Sequence, residues 1–121
     1  MRHRKRNILL ITGHDDTYRK VLLESQGYCV TPVKAEDALS VLGREEFHFL
    51  LVGSGANFES TSTFCKKVRL HHPNLRIGVV AQQGEHVPLE AYADVVIRAQ
   101  YSPAKFIGAV NTVLAQKEDR D

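Results

Sequence analysis

Short, continuous runs of apolar residues alternate along this chain with segments in which apolar residues recur every three or four positions. Continuous runs are typical of strands buried on both faces of a parallel sheet. Recurrence at three and four positions favours amphipathic helices. The continuous runs predict five strands, at 8–11, 28–30, 47–53, 77–81 and 95–97.

Four segments have helical spacing, around 18–25, 35–42, 61–68 and 106–114. Gly27 and Gly43 are predicted to end the first two helices, and Pro73 follows the end of the third. Ser102 and Pro103 have the residue types preferred at the N-cap and first position of the last helix. The residues predicted to face the core are Tyr18, Val21, Leu22, Ala35, Ala38, Leu39, Leu42, Phe64, Cys65, Val68, Phe106, Ile107, Val110, Val113 and Leu114.

The alternation of strands and helices predicts βαβ crossovers and a parallel sheet covered on both faces. Five strands in a chain of this length indicate a flavodoxin-like doubly wound α/β fold with strand order 2-1-3-4-5. Between the last two strands, Gly84 and Pro88 leave room for only a shortened fourth helix, near 88–92. We therefore expect one domain over 1–121, with an ordered core at about 7–116.

Composition excludes several classes of protein. The chain is 43% hydrophobic with a net charge of +2, and no apolar run approaches the ~20 residues that span a bilayer, so we expect a cytoplasmic protein. Cys29 and Cys65 are too few for a zinc site and are interpreted as small hydrophobic residues. The basic segment 2–6 is interpreted as a solubilising end, with contact to phosphate backbones or anionic lipid as the alternative. Neither a cofactor, a membrane nor a nucleic-acid partner is expected.

Three segments together resemble a known family. GYCVTPVKAEDALSVL (27–42), KKVRLHHPNLRIGVV (66–80) and ADVVIRAQYSPAKFIGAVNTVL (93–114) are similar to the second strand and helix, the third helix with the fourth strand, and the closing segment of response regulator receiver domains. This resemblance covers nearly the whole chain. It implies a bacterial protein of two-component signal transduction.

The resemblance also implies a set of reactive residues. In receiver domains an aspartate ending the third strand accepts a phosphoryl group from a histidine kinase, and an acidic pair after the first strand holds Mg²⁺. A Thr or Ser and a Lys, ending the fourth and fifth strands, contact the phosphoryl oxygens. The reaction needs a carboxylate nucleophile, oxygen ligands for the metal and cations that neutralise developing charge.

Every one of these positions is replaced in this chain. The acceptor position falls on Gly53, the acidic pair on Thr12 and Gly13, the Thr or Ser on Ala81, and the Lys on Ala99. The chain therefore lacks the nucleophile, the metal ligands and the cation at the same time. The resemblance therefore predicts a degenerate pseudo-receiver that lacks the phosphoacceptor and is not an enzyme.

Two alternatives remain open at the same loops. Asp15 and Asp16 lie just beyond the expected acidic pair and are either a displaced Mg²⁺ pair or caps of a helix N-terminus. Ser54 lies between two glycines and is either part of a solvated loop or a substitute nucleophile or anion-binding nest, with His14 as a base. Together these residues define the alternative function, an atypical phosphoacceptor or small-anion-binding receiver.

We predict a phosphorylation-independent module that binds a partner protein or a second copy of itself. Receiver domains pair through the fourth helix, fifth strand and fifth helix, but the shortened segment 82–92 makes that face a poor candidate here. The first and last helices are the favoured contact surface. Tyr101 occupies the family's switch aromatic position after the fifth strand, where it could also simply pack.

Overall fold

One sheet of five parallel strands lies at the centre of the fold, in the order β2-β1-β3-β4-β5, which confirms the predicted fold class. The computed structural model describes residues 6–11, 17–53, 61–81, 93–98 and 100–119. The strands are β1 Asn7–Ile11, β2 Cys29–Val33, β3 Phe49–Val52, β4 Arg76–Ala81 and β5 Val95–Arg98. The helices are α1 Thr17–Ser25, α2 Ala35–Arg44, α3 Thr61–His71 and α4 Pro103–Asp119.

The two central strands are buried on both faces, as their continuous apolar runs predict. Ile8 pairs with Phe49, and Ile11 pairs with Val52. All four of these side chains are at most 2% exposed. Alternate side chains of a strand point to opposite faces, so β1 and β3 supply both layers of the core.

Helices α2 and α3 cover one face of the sheet, and α1 and α4 cover the other. The first layer contains Leu9, Ile11, Ala38, Val41, Leu42, Phe47, Leu50, Val52, Cys65, Val68, Leu75, Ile77 and Val79. The second layer contains Ile8, Leu10, Leu23, Phe49, Leu51, Val80, Ile97, Phe106, Val110, Val113 and Leu114.

Local signals set two helix ends as predicted. Gly27 has φ +94 after α1, a conformation that favours glycine, and the backbone N–H groups of Gly27 and Tyr28 donate to the carbonyls of Glu24 and Leu23. This is the Schellman arrangement. At the start of α4, the Ser102 hydroxyl accepts a 3.2 Å hydrogen bond from the Lys105 N–H, as expected for an N-cap.

The predicted inward face of α1 is wrong by about a quarter turn. Tyr18 and Val21 are 43% and 57% exposed, whereas Arg19 and Leu23 are 5% and 0% exposed. Arg19 and Leu23 are four residues apart and therefore share a helix face. The aliphatic stem of an arginine can line a core while its head group stays polar. The spacing of apolar residues alone therefore predicted the adjacent helix face, with Tyr18 and Val21, to be the buried one.

Two details of α2 also differ from the prediction. Gly43 does not end the helix, which continues to Arg44 before Glu45 becomes extended at φ −133 and ψ 156. A Cβ at Gly43 would meet nothing within 4 Å, so no close contact requires a glycine at this position. Leu39 is 39% exposed while Val41 is 8% exposed, so Val41 and not Leu39 belongs to the buried face of the helix.

Strand β2 lies one residue later at its start and three later at its end than the predicted 28–30. It pairs with β1 from Cys29 to Val33 and includes Pro32. Proline lacks the N–H that an interior strand needs, and it is tolerated here because β2 is an edge strand. A proline in the segment therefore did not mark the end of the strand.

The predicted short helix at 88–92 lies outside the described residues. Helix α4 continues to Asp119, past the predicted core limit at 116. No helix in the described ranges is both long and apolar enough to cross a membrane.

Candidate functional site

The carboxyl ends of the central strands carry the position at which the resemblance places a phosphoacceptor. The N–H of Gly53 donates a 2.8 Å hydrogen bond to the carbonyl of Ile11, one step beyond the pairing of Ile11 with Val52. Gly53 is buried. The backbone of the strand end is thus held in sheet geometry, and the side chain that would carry the chemistry is absent.

Strand alternation gives the direction in which a side chain at position 53 would point. Phe49 and Leu51 lie in the layer beneath α1 and α4, and Leu50 and Val52 lie in the opposite layer. Position 53 continues the series of Phe49 and Leu51. A carboxylate there would therefore enter the layer that α1 and α4 cover.

Ala81 ends β4 next to this edge. It is fully buried and pairs with Arg98 at the end of β5. A methyl group provides neither the hydroxyl nor the hydrogen-bond donor that a phosphoryl oxygen requires. The structure therefore places Ala81 where the sequence predicts, at the carboxyl end of the strand beside β3.

Several predicted site residues lie outside the described residues. They are Thr12, Gly13, His14, Asp15, Asp16, Ser54 and Ala99. The displaced metal pair and the substitute nucleophile therefore stay predictions.

Tyr101 is held in a turn directly after β5. Its N–H donates to the Arg98 carbonyl over 3.0 Å, and its half-buried ring packs against the layer that contains Phe106. The ammonium of Lys105 lies 4.5 Å from the ring centroid, a distance typical of a cation–π contact. These contacts show that Tyr101 packs against the core layer. Its role as a switch aromatic stays a prediction.

Sequence reasoning missed a buried charge close to this edge. Arg19, in the first turn of α1, is the one charged side chain that is buried among the described residues. Its guanidinium carbon lies 5.4 Å from the centroid of the Tyr18 ring. A clue was its four-residue spacing from Leu23, which places a long cationic side chain on the inner face of the helix.

A second missed feature lies at the opposite, amino end of the sheet. Asp94, just before β5, accepts hydrogen bonds from Arg69 of α3 over 2.8 Å and from the Ile77 N–H over 2.7 Å. Arg76 contributes a longer contact of 3.4 Å. The three donors come from α3 and β4, so this carboxylate joins three elements at a distance from the candidate site.

Cys65 lies in the same region and is not a reactive thiol. It is fully buried, and burial raises its pKa from 9.0 to about 11, with Arg69 lowering the pKa and Asp94 raising it by smaller amounts. Thiolate is the nucleophilic form of cysteine. Cys65 therefore stays protonated and unreactive near neutral pH, as its interpretation as a small hydrophobic residue requires.

Two of the histidines that the structure describes have side-chain hydrogen-bond contacts. The N–H of Asn7 donates to Nδ1 of His48 over 3.0 Å. The ring of His71 contacts the Lys67 carbonyl over 2.9 Å at the end of α3. Across the described ranges, no three His, Cys, Asp or Glu side chains are grouped so that they could hold a metal ion.

Two shallow grooves lie away from Gly53 and Ala81. The larger, about 540 Å³, runs between β2 and α2 and is lined by residues that include Pro32, Lys34 and Arg44. The smaller, about 220 Å³, lies between the end of α2 and the exit of α3, with Glu45 and His72 in its lining. Both grooves are open, and neither includes a residue of the predicted reactive set.

Three solved structures share this fold over almost the whole chain. A response regulator of Chloroflexus aurantiacus is 24% identical, with a TM-score of 0.80 over 93% of this chain and 99% of that one. A CheY-like receiver domain protein of Methanospirillum hungatei is 20% identical, with a TM-score of 0.79 over 98% and 100%. A receiver domain protein of Clostridium thermocellum is 15% identical, with a TM-score of 0.81 over 96% and 99%.

No protein-family model matches the chain, and no curated protein sequence matches it. The structural likenesses establish the fold at sequence identities too low to carry over an activity.

Proposed function

We propose that this chain is a pseudo-receiver of two-component signal transduction, which works through protein–protein contacts and without aspartate phosphorylation. The observation that carries this proposal is Gly53. Its backbone occupies the strand end, hydrogen-bonded to Ile11 over 2.8 Å, and it has no side chain with which to accept a phosphoryl group. The fold that is shared with receiver domains supports the family.

The chemistry of the neighbouring positions points the same way. Thr12 and Gly13 supply no carboxylate for Mg²⁺, and Ala81 and Ala99 supply neither hydroxyl nor ammonium. Transfer of a phosphoryl group to a carboxylate brings two negative groups together, and electrostatic stabilisation supplies most of the rate. A chain that lacks the acceptor and its stabilising groups has kept the fold without the reaction.

The contact surface that we favour for a partner protein is the outer face of α1 and α4. Tyr18 and Val21 are exposed there, three residues apart on one side of α1. Apart from the buried Arg19, the described charges on α1 are Lys20 and Glu24, which are paired with each other over 3.1 Å. The Tyr28 hydroxyl, just after α1, is hydrogen-bonded to Asn111 of α4. Exposed apolar residues without competing charges are typical of protein contacts.

A variant at the centre of this face tests the interaction. Val21→Glu places a charge on a solvent-facing side chain and should leave the fold intact. We expect tagged wild-type protein to copurify with a partner from its own cell, and Val21→Glu to lose that partner. Leu70→Glu, an equivalent change on α3, is the matched control. Equal recovery with wild type and Val21→Glu would exclude this face.

The reaction itself is tested separately. We expect the intact mass to stay constant during incubation with acetyl phosphate and Mg²⁺. A stable gain of one phosphoryl group would favour the alternative function through Asp15, Asp16 and Ser54.

A further inference from the structure

The outer surface of α3 carries positive charge and no negative charge. The sequence has no Asp or Glu between Glu59 and Glu85, so α3 itself contains no acidic residue. Its exposed side chains Lys66, Lys67 and Leu70 are here called the basic face. The two lysines precede Leu70 by four and three positions, and residues at these spacings are neighbours on a helix surface. The leucine is therefore flanked by two ammonium groups one turn earlier.

The charges of the basic face are not used to hold the helix in place. Neither Lys66 nor Lys67 has an ion-pair or hydrogen-bond partner for its ammonium group within the described part of the chain. Arg69, on the same helix, is instead committed to Asp94 over 2.8 Å and to the Leu75 carbonyl over 2.7 Å. The cation that attaches α3 to the sheet is thus distinct from the two that face outwards.

The carboxylates of α2 and of the turn after it lie in two grooves away from the basic face. Glu36 and Asp37 line the groove between β2 and α2, and Glu45 and Glu46 line the groove at the exit of α3. Neither groove is lined by a residue of the basic face. The two lysines are therefore available to carboxylates of a second molecule.

Leu70 gives the basic face an apolar centre. It is 72% exposed, the largest value among the exposed large hydrophobic residues, whereas Cys65 and Val68 on the opposite side of α3 are fully buried. The helix thus packs on the sheet without Leu70. An apolar residue with charges around it has the composition of a contact with a polar rim, and a helix already anchored to the sheet loses little conformational freedom when it binds.

We propose that the basic face of α3 binds an acidic segment of a partner protein. Two carboxylates of that segment pair with Lys66 and Lys67, and an apolar side chain of the same segment covers Leu70. The charges determine which segments bind, because like charges placed against the two lysines are repelled. The leucine adds the apolar burial that ion pairs at an exposed surface do not supply.

Nucleic acid and anionic lipid fit the same face less well. It provides two ammonium groups, whereas proteins with strong electrostatic binding to DNA make about 6–10 phosphate contacts. Basic clusters that hold anionic lipid contain about 4–8 Lys or Arg residues. A row of phosphates would also leave Leu70 without an apolar partner. An acidic protein segment satisfies both the lysines and the leucine.

The size of the face sets the expected strength. Helix α3 contains 11 residues, so it is about 16 Å long. One face of such a helix covers less than the roughly 800 Å² per partner of a standard interface. We therefore expect a weak complex that dissociates as salt is added, because salt screens exposed charges.

This contact goes beyond the proposed function, since it uses the opposite face of the sheet from α1 and α4. Val21→Glu should leave it unchanged. Leu70→Glu should weaken it and leave the partner of α1 and α4 bound. The two surfaces can therefore fail independently.

A pair of synthetic helical peptides tests the proposal by NMR titration of the ¹⁵N-labelled protein. The acidic peptide carries a leucine and, on the same face, two glutamates three and four residues after it, which mirrors the basic face in an antiparallel helix. The neutral peptide has glutamines in place of the glutamates. We expect the acidic peptide to shift the amide signals of α3 and to bind at least about tenfold more tightly than the neutral one.

Charge reversal identifies the residues that bind. Lys66→Glu with Lys67→Glu should weaken binding of the acidic peptide at least about tenfold and should bind a peptide with lysines in place of the glutamates. Lys34→Glu with Arg44→Glu is the matched control, because it reverses two charges on the neighbouring helix α2 and should bind the acidic peptide as wild type does. Circular dichroism of both variants should match that of wild type.

Four outcomes would overturn the proposal. They are the absence of binding to the acidic peptide, equal binding of the neutral peptide, equal losses in the two charge-reversed variants, and tighter binding of a DNA duplex or of phosphatidylserine vesicles than of the acidic peptide. Leu70→Ala should weaken binding of the acidic peptide several-fold, and unchanged affinity would contradict the apolar part of the contact.

Discussion

Arg69 and Asp94 join helix α3 to the start of β5 through a hydrogen-bonded ion pair of 2.8 Å. Both side chains are about three-quarters buried, at 27% and 23% exposure. Arg69 also donates to the Leu75 carbonyl over 2.7 Å, and the Ile77 N–H donates to Asp94 over 2.7 Å. One ion pair therefore joins the end of α3, the first residues of β4 and the start of β5.

We expect Asp94→Ala to destabilise the fold by about 1–3 kcal/mol, because it leaves the Ile77 N–H without its acceptor and Arg69 without its carboxylate partner. Asp94→Asn retains an acceptor oxygen and should cost less. Urea unfolding monitored by circular dichroism measures both. Equal stabilities of the alanine variant and wild type would show that the junction contributes little.

Gly78 on β4 lies against an aromatic ring of the neighbouring strand. A Cβ at this position would approach Cζ of Phe49 to 2.6 Å, and Phe49 is fully buried. Gly78→Ala should therefore lower the free energy of unfolding by about 1–3 kcal/mol, since the ring has to shift in a packed core.

Gly43 provides the matched control for that substitution. It lies inside α2, and a Cβ there would meet nothing within 4 Å. Gly43→Ala should raise the free energy of unfolding by about 0.5–1 kcal/mol, because alanine favours the helix. Thermal unfolding of the two variants should give shifts of opposite sign, and shifts of the same sign would contradict the packing at Gly78.

The buried thiol of Cys65 predicts a loss of stability in alkali. Its pKa rises from 9.0 to about 11 on folding, so the unfolded chain loses this proton first. The neutral thiol therefore contributes fully below pH 9, and its contribution of about 2–3 kcal/mol is lost as the pH rises towards 11.

Cys65→Ala isolates this effect from the other groups that titrate in alkali. The free energy of unfolding of wild type should fall more steeply between pH 9 and 11 than that of the variant. Parallel curves for the two proteins would contradict the raised pKa. Native Cys65 should also react with iodoacetamide far more slowly than the half-buried Cys29 at neutral pH.

The fold could be predicted from the sequence because its signals are local and repeated. Continuous apolar runs at β1 and β3, the left-handed Gly27 and the Ser102 cap each specify one element without knowledge of the others. Gly43 shows the limit of this reasoning, since only the packing of α2 tells whether a glycine ends a helix or lies within it.

The candidate site could be predicted only at the positions that the resemblance supplies. Ala81 ends β4 as predicted, and Gly53 directly follows β3. Arg19 was missed because burial of a charge depends on neighbours that are distant in sequence. The Asp94 junction was missed for the same reason, because Arg69 and Asp94 are 25 residues apart.

Restoring the acceptor alone should not restore the reaction. Gly53→Asp introduces a carboxylate at a buried position, and we expect it to destabilise the fold by about 1–3 kcal/mol and to remain unphosphorylated. Gly53→Ala serves as the control for the added Cβ. Rapid phosphorylation of the aspartate variant would show that the metal and cation positions are filled by residues other than those predicted.

The most direct test of the central claim is the intact mass of the wild-type protein after incubation with acetyl phosphate and Mg²⁺, with an active receiver domain treated in parallel. We predict that the active receiver gains one phosphoryl group and that this chain keeps its mass. A stoichiometric gain of one phosphoryl group on this chain would contradict the assignment as a pseudo-receiver.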